Sequence, residues 1–400
     1  SQFRKLTKIM RVPKAFLRKV ILCVVIIQLM YILTSKLSTN EKSIKSKSST
    51  KLEKISLDNK RRGDKPLNSI YFLKTHKTGS TTLQSILMRY GDTRNLSFAF
   101  KEKNHELGWP RVFHKNIPIK LKAPHSRYDI ICQHLRHSDD VFDVLNPKAK
   151  VITILRNPTY NFISTFKYFY EKWTKRCFGT INIDEFLSTM ENSTSNITVS
   201  NECVNRQLYD LGMRPNDTVN VIKVKRKIWE MDMTFDLVMI SEYFNEGLIL
   251  LKHLMNWSFD DIVYISKNVQ TKKTKGIDVT YPEAYRKIRE LNIGDEMLYQ
   301  HYNKTFWNMI NNFGRERMNR EVSKLNQIRD KMKTFCIGEV VNGTNERLSE
   351  HNKPTWMANK VNAYILSEEG KHDATCKQLV AGEDQYTDFL RQKMKSLGYI

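Results

Sequence analysis

The chain has 400 residues, of which 40% are hydrophobic and 27% charged, a balance typical of a folded protein with one or two domains rather than a disordered one. Its formal net charge of +24 would indicate a nucleic-acid-binding protein only if it were spread over the folded part. Residues 1–67 hold 17 Lys or Arg against 4 Asp or Glu, a net of +13, which leaves +11 for the other 333 residues. The composition therefore predicts no nucleic-acid partner and a mildly basic domain that suits anionic ligands.

The first element along the chain is an apolar run from Val20 to Leu33, in which Gln28 is the one polar residue. Seven Lys or Arg residues precede the run, and the positive-inside rule places such a flank in the cytosol. A cleavable signal peptide has a similar run, but the residues that follow, TSKLSTN, make a poor cleavage site. We therefore predict a cytoplasmic tail at 1–19 and a transmembrane signal anchor at 20–37, as in a single-pass type II membrane protein.

A polar segment follows at residues 38–67. It consists mainly of Lys, Ser and Thr, so it cannot bury enough apolar surface to offset the entropy of ordering, and we predict a flexible stem. Beyond it, on the side predicted to be lumenal, the chain has seven Asn-x-Ser/Thr sequons, at Asn95, Asn192, Asn196, Asn216, Asn256, Asn303 and Asn342. They agree with the predicted orientation, and residues 68–400 are predicted to form the lumenal domain.

The six cysteines do not indicate a metal site, because no two of them form a CxxC pair. Cys23 lies in the apolar run, and the five cysteines beyond it leave at least one thiol unpaired if the others form disulfides. We predict a bridge between Cys336 and Cys376.

From residue 68 onwards, short apolar runs alternate with helical patterns, which is typical of a parallel sheet flanked by helices. Strands are predicted at 69–74, 129–133, 150–155 and 235–240. Helices are predicted at 80–90, 159–173, 242–255, 282–291, 295–313 and 315–335, and the polar segment 182–220 as loop with short helices. The predicted fold class is α/β, a P-loop-like parallel sheet flanked by helices and preceded by a single transmembrane helix.

The segment SIYFLKTHKTGSTTLQSIL, residues 69–87, runs from an apolar strand through a glycine-containing turn into a helix. The N–H groups at the helix start, the nearby hydroxyls and a lysine are predicted to bind a phosphate; these residues are Lys77, Thr78, Gly79, Ser80, Thr81 and Thr82. In the nucleotide triphosphatase loop the lysine follows the second glycine, whereas here Lys77 precedes Gly79. Alternatively, Gly79 only makes the turn and the hydroxyls only cap the helix.

The segment KVITILRNPTYNFISTFKYFY, residues 150–170, is a second buried strand followed by a helix. Arg156 stands at the end of the strand and Ser164 two helical turns later. Ligands of open α/β sheets collect at the carboxyl ends of the strands, and an arginine can bind phosphate with two hydrogen bonds. Arg156 and Ser164 are therefore predicted to bind a second phosphate, although this segment alone is equally compatible with Arg156 capping the sheet and Ser164 packing.

Together the two segments resemble the sulfotransferase superfamily, in which a loop like PKSGTTW binds a 5′-phosphosulfate and an Arg with a Ser eight residues later binds a 3′-phosphate. HKTGSTT and the pair Arg156 and Ser164 fit that pattern. The finer resemblance is to the galactose 3-O-sulfotransferases, the family of galactosylceramide sulfotransferase. It covers most of residues 68–400, through FLKTHKTGSTT, DIICQHLR, LRNPTYNFIS, RQLYDLGM, EYFNEGLILLKHLMNWSFDDIVY and LYQHYNKTFW.

The resemblance implies the sulfotransferase fold and the donor 3′-phosphoadenylyl sulfate (PAPS), with no obligatory metal. Residues 77–82 would then hold its 5′-phosphosulfate, and Arg156 with Ser164 its 3′-phosphate. The late Arg-Lys-Gly motif that many cytosolic sulfotransferases use for the 3′-phosphate is absent. Another element must complete that site, and Lys267 in YISKN is a weak candidate.

The implied reaction is transfer of the sulfuryl group to the 3-hydroxyl of a terminal galactose on a glycolipid or glycan, at the Golgi membrane. It requires a base for the hydroxyl proton and a cation for the leaving phosphate. Lys77 suits the second role. His76 and His134, both at predicted strand ends, are the candidate bases, because imidazole titrates near neutrality, and the sequence does not choose between them.

Two other functions stay open. A membrane-anchored glycan-binding protein could keep the fold without catalysis, although retention of both phosphate motifs argues against it. A sulfotransferase of glycosaminoglycan chains would call for a long basic groove, which a domain charge of +11 neither demands nor forbids. The sequence also leaves open whether the acceptor is a ceramide lipid or a glycoprotein glycan, and whether the protein is a homodimer.

Overall fold

The computed structural model describes residues 65–169, 171–180, 182–192, 203–269 and 281–400, together with Gln28 and Val199. Among these residues no helix combines the length and the apolar character needed to cross a membrane. The two longest, Ile293–Phe313 and Arg315–Cys336, carry charged residues, because each keeps a face in water. The predicted fold class is corrected accordingly, to an α/β parallel sheet flanked by helices. The predicted tail, the anchor at 20–37 and the stem as far as residue 64 lie outside the described residues, apart from Gln28.

A four-stranded parallel sheet lies in the core, in the order β2–β1–β3–β4. Its strands are β1 (Ile70–Leu73), β2 (Ile130–Ile131), β3 (Lys150–Leu155) and β4 (Leu237–Ile240), so all four predicted strands are confirmed. Every residue of β1 and β4 is buried, as expected where both faces of a parallel sheet are covered. A separate antiparallel pair, β5 (Ile337–Asn342) and β6 (Asn362–Leu366), was not predicted.

Helices connect and cover the strands. In chain order they are α1 (Ser80–Asp92), α2 (Asp140–Val144), α3 (Pro158–Tyr168), α4 (Glu171–Phe178), α5 (Ile183–Asn192), α6 (Arg206–Asp210), α7 (Val221–Thr234), α8 (Phe244–Met255), α9 (Phe259–Ile262), α10 (Pro282–Leu291), α11 (Ile293–Phe313), α12 (Arg315–Cys336), α13 (Ala374–Val380) and α14 (Glu383–Ser396). Single 3₁₀ turns lie at Pro215–Asp217, Ser241–Tyr243, Glu350–Asn352, Ala358–Lys360 and Gly370–His372.

The predicted helices agree with the structure except at 159–173, where the chain forms two helices. The first, α3, ends at Tyr168, because Phe169 has an extended backbone (φ −69°, ψ 167°). The ring of Phe169 lies 6.2 Å from that of His76. The helical pattern alone could not show that one residue in it leaves the helix to face a histidine far away in the sequence.

The carboxyl ends of β1 and β3 are held together by threonine side chains. Leu73 of β1 lies next to Thr153 of β3, whose hydroxyl donates to the carbonyl oxygen of Leu73 at 2.9 Å. Beyond the end of β1, the Thr75 hydroxyl donates to the carbonyl oxygen of Ile154 at 2.5 Å. The loop after β1 and Arg156 after β3 therefore leave the sheet at the same edge.

Two disulfides stabilise parts of the domain outside the sheet. Cys177 is bonded to Cys203, and Cys336 to Cys376, which confirms the predicted second bridge, while Cys132 is a buried free thiol. Cys336 ends α12 and Cys376 lies in α13, so this bridge joins the long helix to the segment that leads into α14.

Replacing Cys336 and Cys376 together by Ser should lower the free energy of unfolding by about 4 kcal/mol, because the bridge closes a loop of 40 residues in the unfolded chain. Urea denaturation followed by circular dichroism measures this difference. Cys132→Ala, which removes a buried sulfur atom but no bridge, is the control, with an expected loss of about 1 kcal/mol. Equal losses in the two variants would contradict a stabilising role for the bridge.

Candidate active site

The loop between β1 and α1 is shaped to expose backbone N–H groups. Lys77 and Gly79 both have left-handed backbone angles (φ 61° and 79°), which suits glycine at position 79 and strains the chain at Lys77. Helix α1 begins at Ser80, and no side chain caps its N-terminus. Such a helix start presents free N–H groups and a partial positive charge, and is a ready site for an anion.

The four hydroxyl residues of the predicted phosphate-binding segment 77–82 have different partners. Thr78 and Ser80 turn inwards: the Ser80 hydroxyl donates to the carbonyl oxygen of Thr75 at 2.6 Å, and Thr78 bonds to the Thr75 hydroxyl at 2.9 Å. Their side chains therefore stabilise the loop, and only their backbone N–H groups can bind an anion. Thr82 accepts a hydrogen bond from the N–H of Lys267 at 2.9 Å, which brings the weak candidate Lys267 next to the loop. Thr81 accepts one from Asn268 at 3.3 Å.

Positive charge is concentrated beside the loop. The guanidinium of Arg156 donates to the carbonyl oxygen of Lys77 at 3.0 Å, so the two predicted phosphate-binding segments meet. The Lys77 ammonium lies 3.2 Å from the centre of the Tyr168 ring, a cation–π contact. Burial, together with the charges of Arg156, Lys360 and Lys74, lowers the pKa of Lys77 to about 7. A bound anion would relieve this repulsion.

Ser164 is not joined to Arg156 by a direct contact. It lies half-buried on α3, and no hydrogen bond between the two side chains occurs in the described part of the chain. Arg156 is held instead through its own backbone, whose N–H donates to the side chain of Gln207 at 2.8 Å. Of the predicted pair, Arg156 therefore contacts the loop. The role of Ser164 in phosphate binding stays a prediction.

His76 is paired with the buried carboxylate of Asp210. The backbone N–H of His76 donates to Asp210 at 2.8 Å, and Nδ1 of its ring lies 2.9 Å from the same oxygen. Trp109 donates its indole N–H to the other oxygen at 3.1 Å. Burial acts to raise the pKa of Asp210, but His76 and Arg206 bring it below its ordinary value. With a proton on Nδ1, Nε2 of His76 can accept a proton, and the carboxylate stabilises the imidazolium that forms.

His134 stacks on His76, with the ring centres 4.0 Å apart and the planes 16° from parallel. Its Nδ1 lies 3.2 Å from the carbonyl oxygen of Lys74, so Nδ1 carries the proton and Nε2 is an acceptor. Burial, with His76 and Lys74 adding to it, lowers the pKa of His134 well below its ordinary value. The two histidines therefore differ: Nδ1 of His76 faces a carboxylate, whereas Nδ1 of His134 faces a backbone carbonyl oxygen and burial lowers the pKa of that ring.

Both histidines line a cavity of about 420 Å³. Its wall includes the aromatic residues Trp109, Tyr168, Phe169, Tyr364 and Trp356 and the acidic residues Glu106, Glu383 and Asp384. Thr81 of α1 and Lys267 also line it, so the cavity reaches the anion-binding loop. The site can thus hold a polyanion at one side and accept a proton from a neutral ligand at the other. Within the described residues no group of three or more His, Cys, Asp or Glu is arranged to hold a metal ion.

Sequence reasoning missed Asp210, Trp109 and the acidic residues of the cavity. Asp210 lies in RQLYDLGM, yet it is 134 positions from His76 and is one of 42 Asp and Glu. Its helix, α6, is fixed by Asp295, which accepts the N–H groups of Gln207 and Leu208 at 3.0 and 2.9 Å. The one available signal was chemical, because a histidine base usually has a carboxylate partner. The sequence did not show which carboxylate that partner is.

Comparisons with known proteins identify the family of the chain. Galactosylceramide sulfotransferase of Bos taurus is 32% identical over 335 residues, covering 81% of this chain and 78% of that protein. Galactose-3-O-sulfotransferase 3 of Homo sapiens is 30% identical over 346 residues, covering 82% and 79%, and galactose-3-O-sulfotransferase 2 of Homo sapiens is 31% identical over 278 residues, covering 68% and 69%. No solved structure gives a significant match. A family model described as galactose-3-O-sulfotransferase matches residues 3–394, and the chain belongs to that family, as its motifs predicted.

Proposed function

We propose that this protein transfers a sulfuryl group from PAPS to the 3-hydroxyl of a terminal β-galactose on a glycolipid or glycan. The observation that carries the proposal is that one cavity adjoins both a histidine–carboxylate pair, His76 and Asp210, and an anion-binding loop with Lys77 and Arg156. Attack of a hydroxyl on sulfur needs a base that takes the hydroxyl proton and a cation next to the leaving phosphate. His76 lines this cavity, and the Lys77 ammonium lies against Tyr168, one of its lining residues.

The residues around the loop fit a donor with two separate phosphate groups. The uncapped start of α1 and Lys77 suit the 5′-phosphosulfate, since Gly79 is exposed and lets an anion approach the backbone. Arg156, at the end of the neighbouring strand, suits the 3′-phosphate, with Ser164 as the assigned second contact. Lys267, whose ammonium donates to the carbonyl oxygen of Ala381 at 2.9 Å, stays the candidate to complete the nucleotide site.

The reaction then follows from the positions of two side chains. Nε2 of His76 takes the proton of the galactose hydroxyl while the hydroxyl oxygen forms a bond to sulfur. The bond between sulfur and the phosphate oxygen breaks, and the Lys77 ammonium stabilises the negative charge that develops on that oxygen. Bound PAPS supplies the sulfuryl group and leaves as adenosine 3′,5′-bisphosphate.

We assign the base to His76 rather than to His134. Asp210 stabilises the imidazolium form of His76, whereas burial disfavours a proton on Nε2 of His134. As a neutral ring with a free acceptor nitrogen, His134 suits a hydrogen bond from the acceptor sugar and holds the His76 ring by stacking.

The acceptor is assigned from the relatives and from the charge of the cavity. The relatives are named for galactosylceramide and galactose as acceptors. Glu106, the acidic residue of the cavity that is not bonded to a cationic side chain within the described residues, opposes a polyanionic glycosaminoglycan near the reacting hydroxyl. A glycan-binding protein without catalysis would have no need for a base oriented by a buried carboxylate.

We further propose that residues 68–400 are the sulfotransferase domain and act in the lumen of the Golgi. Its two disulfides support a compartment of the secretory pathway, since such bonds persist in oxidising surroundings. Of the six sequon asparagines that the structure describes, four are exposed, as glycosylation requires; they are Asn95, Asn192, Asn216 and Asn256.

Lys77→Ala and Arg156→Ala should each abolish sulfuryl transfer, with rate losses of at least about 10²–10³-fold, because each removes a cation from the donor site. The measurement is incorporation of ³⁵S from labelled PAPS into a β-galactoside. Lys101→Ala, at an exposed position, is the matched control and should retain wild-type activity. Near-wild-type activity in either site variant would contradict the assignment.

Asp210→Asn should lower kcat by roughly 10²–10⁴-fold, the range of general-base catalysis, because the amide no longer stabilises the imidazolium of His76. Binding of adenosine 3′,5′-bisphosphate, followed by calorimetry, should change little. His134→Asn should mainly raise the KM for the acceptor. The reverse pattern, with kcat lost in His134→Asn and retained in Asp210→Asn, would show that His134 is the base.

Binding of adenosine 3′,5′-bisphosphate should weaken as pH rises. The pKa of Lys77 is lowered to about 7, so the free protein has the charge below that pH and loses it above. Between about pH 6.5 and 8 the Kd should rise roughly tenfold, as measured by calorimetry. Lys77→Arg, whose guanidinium stays charged, should flatten the profile. An equal slope in both proteins would assign the titration to another group.

A further inference from the structure

One loop supplies the catalytic cavity with a carboxylate that the transfer step does not use. Four residues of this loop line the cavity: His105, Glu106, Trp109 and Pro110. Glu106 lies beside His134, to which it is joined by a parallel backbone bridge. The N–H of the next residue, Leu107, donates to the carbonyl oxygen of His134 at 2.8 Å. The loop is thus held against the strand end that positions the second histidine.

Glu106 differs from the other two acidic residues of the cavity. Glu383 bonds to the buried ammonium of Lys74 at 2.5 Å, and Asp384 pairs with His105 at 3.2 Å. The half-buried side chain of Glu106 makes no hydrogen bond within the described residues. A carboxylate accepts charge-assisted hydrogen bonds, which are stronger than those between neutral groups. A ligand that donates hydrogen bonds to Glu106 would therefore gain binding free energy.

Neighbouring charges act on Glu106 in opposite directions. Burial raises the pKa of Glu106, His76 and Lys74 oppose the rise, and Glu383 and Asp384 add to it. Glu106 is bridged to His134, whose ring stacks on that of His76 at 4.0 Å, so Glu106 and the proposed base lie in one region of the cavity. A group bound there can therefore face both residues at once.

The surroundings of Glu106 suit a sugar ring. The Trp109 ring lies 4.7 Å from the His76 ring and offers a flat apolar surface, and Trp356 lines the same cavity. Apolar surfaces with a few convergent polar groups are typical of ligand pockets. A galactose whose 3-hydroxyl faces His76 presents its 2- and 4-hydroxyls on either side, both of which are hydrogen-bond donors.

We propose that Glu106 determines acceptor specificity: its carboxylate accepts a hydrogen bond from a galactose hydroxyl adjacent to the one that reacts. This inference rests on the proposed function and adds the residue that selects the sugar. The charge of Glu106 also disfavours acceptors that carry an anionic group next to the reacting hydroxyl, so it works by exclusion as well as by binding.

The test compares Glu106→Ala with Glu102→Ala, an exposed glutamate four residues earlier. With methyl β-galactoside as acceptor, Glu106→Ala should raise KM roughly 10- to 150-fold, the value of one charge-assisted hydrogen bond. Glu102→Ala should leave KM unchanged. Glu106→Gln, which keeps an acceptor oxygen, should recover part of the loss. The Kd of adenosine 3′,5′-bisphosphate should be the same in all variants, which also verifies that they fold.

The 2-deoxy and 4-deoxy analogues of the acceptor identify the hydroxyl. For one of them the wild type should already show the raised KM, and Glu106→Ala should add little more, because the two partners of one hydrogen bond are not additive. A loss in kcat at unchanged KM would overturn the proposal by placing Glu106 in the chemical step. Unchanged kinetics in Glu106→Ala would overturn it and leave the proposed function standing. Failure of the wild type to sulfate any galactoside would overturn the proposed function, and the role of Glu106 with it.

Discussion

The site depends on the junction of two parallel strand ends. Thr153 donates a hydrogen bond from β3 to β1, and Thr75 donates one from the segment after β1 to β3. Both lie where the regular backbone pairing of the two strands ends. Because β1 and β3 are parallel neighbours, their following residues leave the sheet at one edge. His76 and Lys77 follow β1, and Arg156 follows β3. The hydrogen bond from Arg156 to the carbonyl oxygen of Lys77 joins the two segments into one continuous surface.

Charge is divided across this surface. On the side of the loop, burial and the charge of Arg156 lower the pKa of Lys77, and an anionic donor would relieve the repulsion between the two cations. The adjoining cavity is lined by the carboxylates of Glu106, Glu383 and Asp384, and also by Arg206 and Lys267. The stacked histidines line the same cavity. A polyanion is therefore attracted to the loop, whereas a neutral sugar is compatible with the mixed charge of the cavity.

Parts of the chain far from the two strands complete the site. Asp210 comes from a short helix that Asp295 holds by its N-terminal N–H groups, and Glu106 comes from a loop bonded to the strand end before His134. The acidic pair at the start of α14 reaches the cavity with Glu383 bonded to the buried Lys74. The disulfide between α12 and α13 stabilises the approach to that helix. The reactive groups are therefore oriented by long-range contacts.

The sequence by itself determined the four parallel strands, the turn and helix that follow β1, one disulfide and the family, and it predicted the anion-binding residues 77–82 and Arg156. These features are local: an apolar run, a glycine turn and a helix start are encoded in adjacent residues. Only the tertiary structure decided that Phe169 leaves its helix and that Asp210 pairs with His76 rather than with His134. It also decided that Glu106 enters the cavity. The reason is physical: a carboxylate acquires its role from the charges and burial around it, and those arise when segments distant in the sequence are packed together.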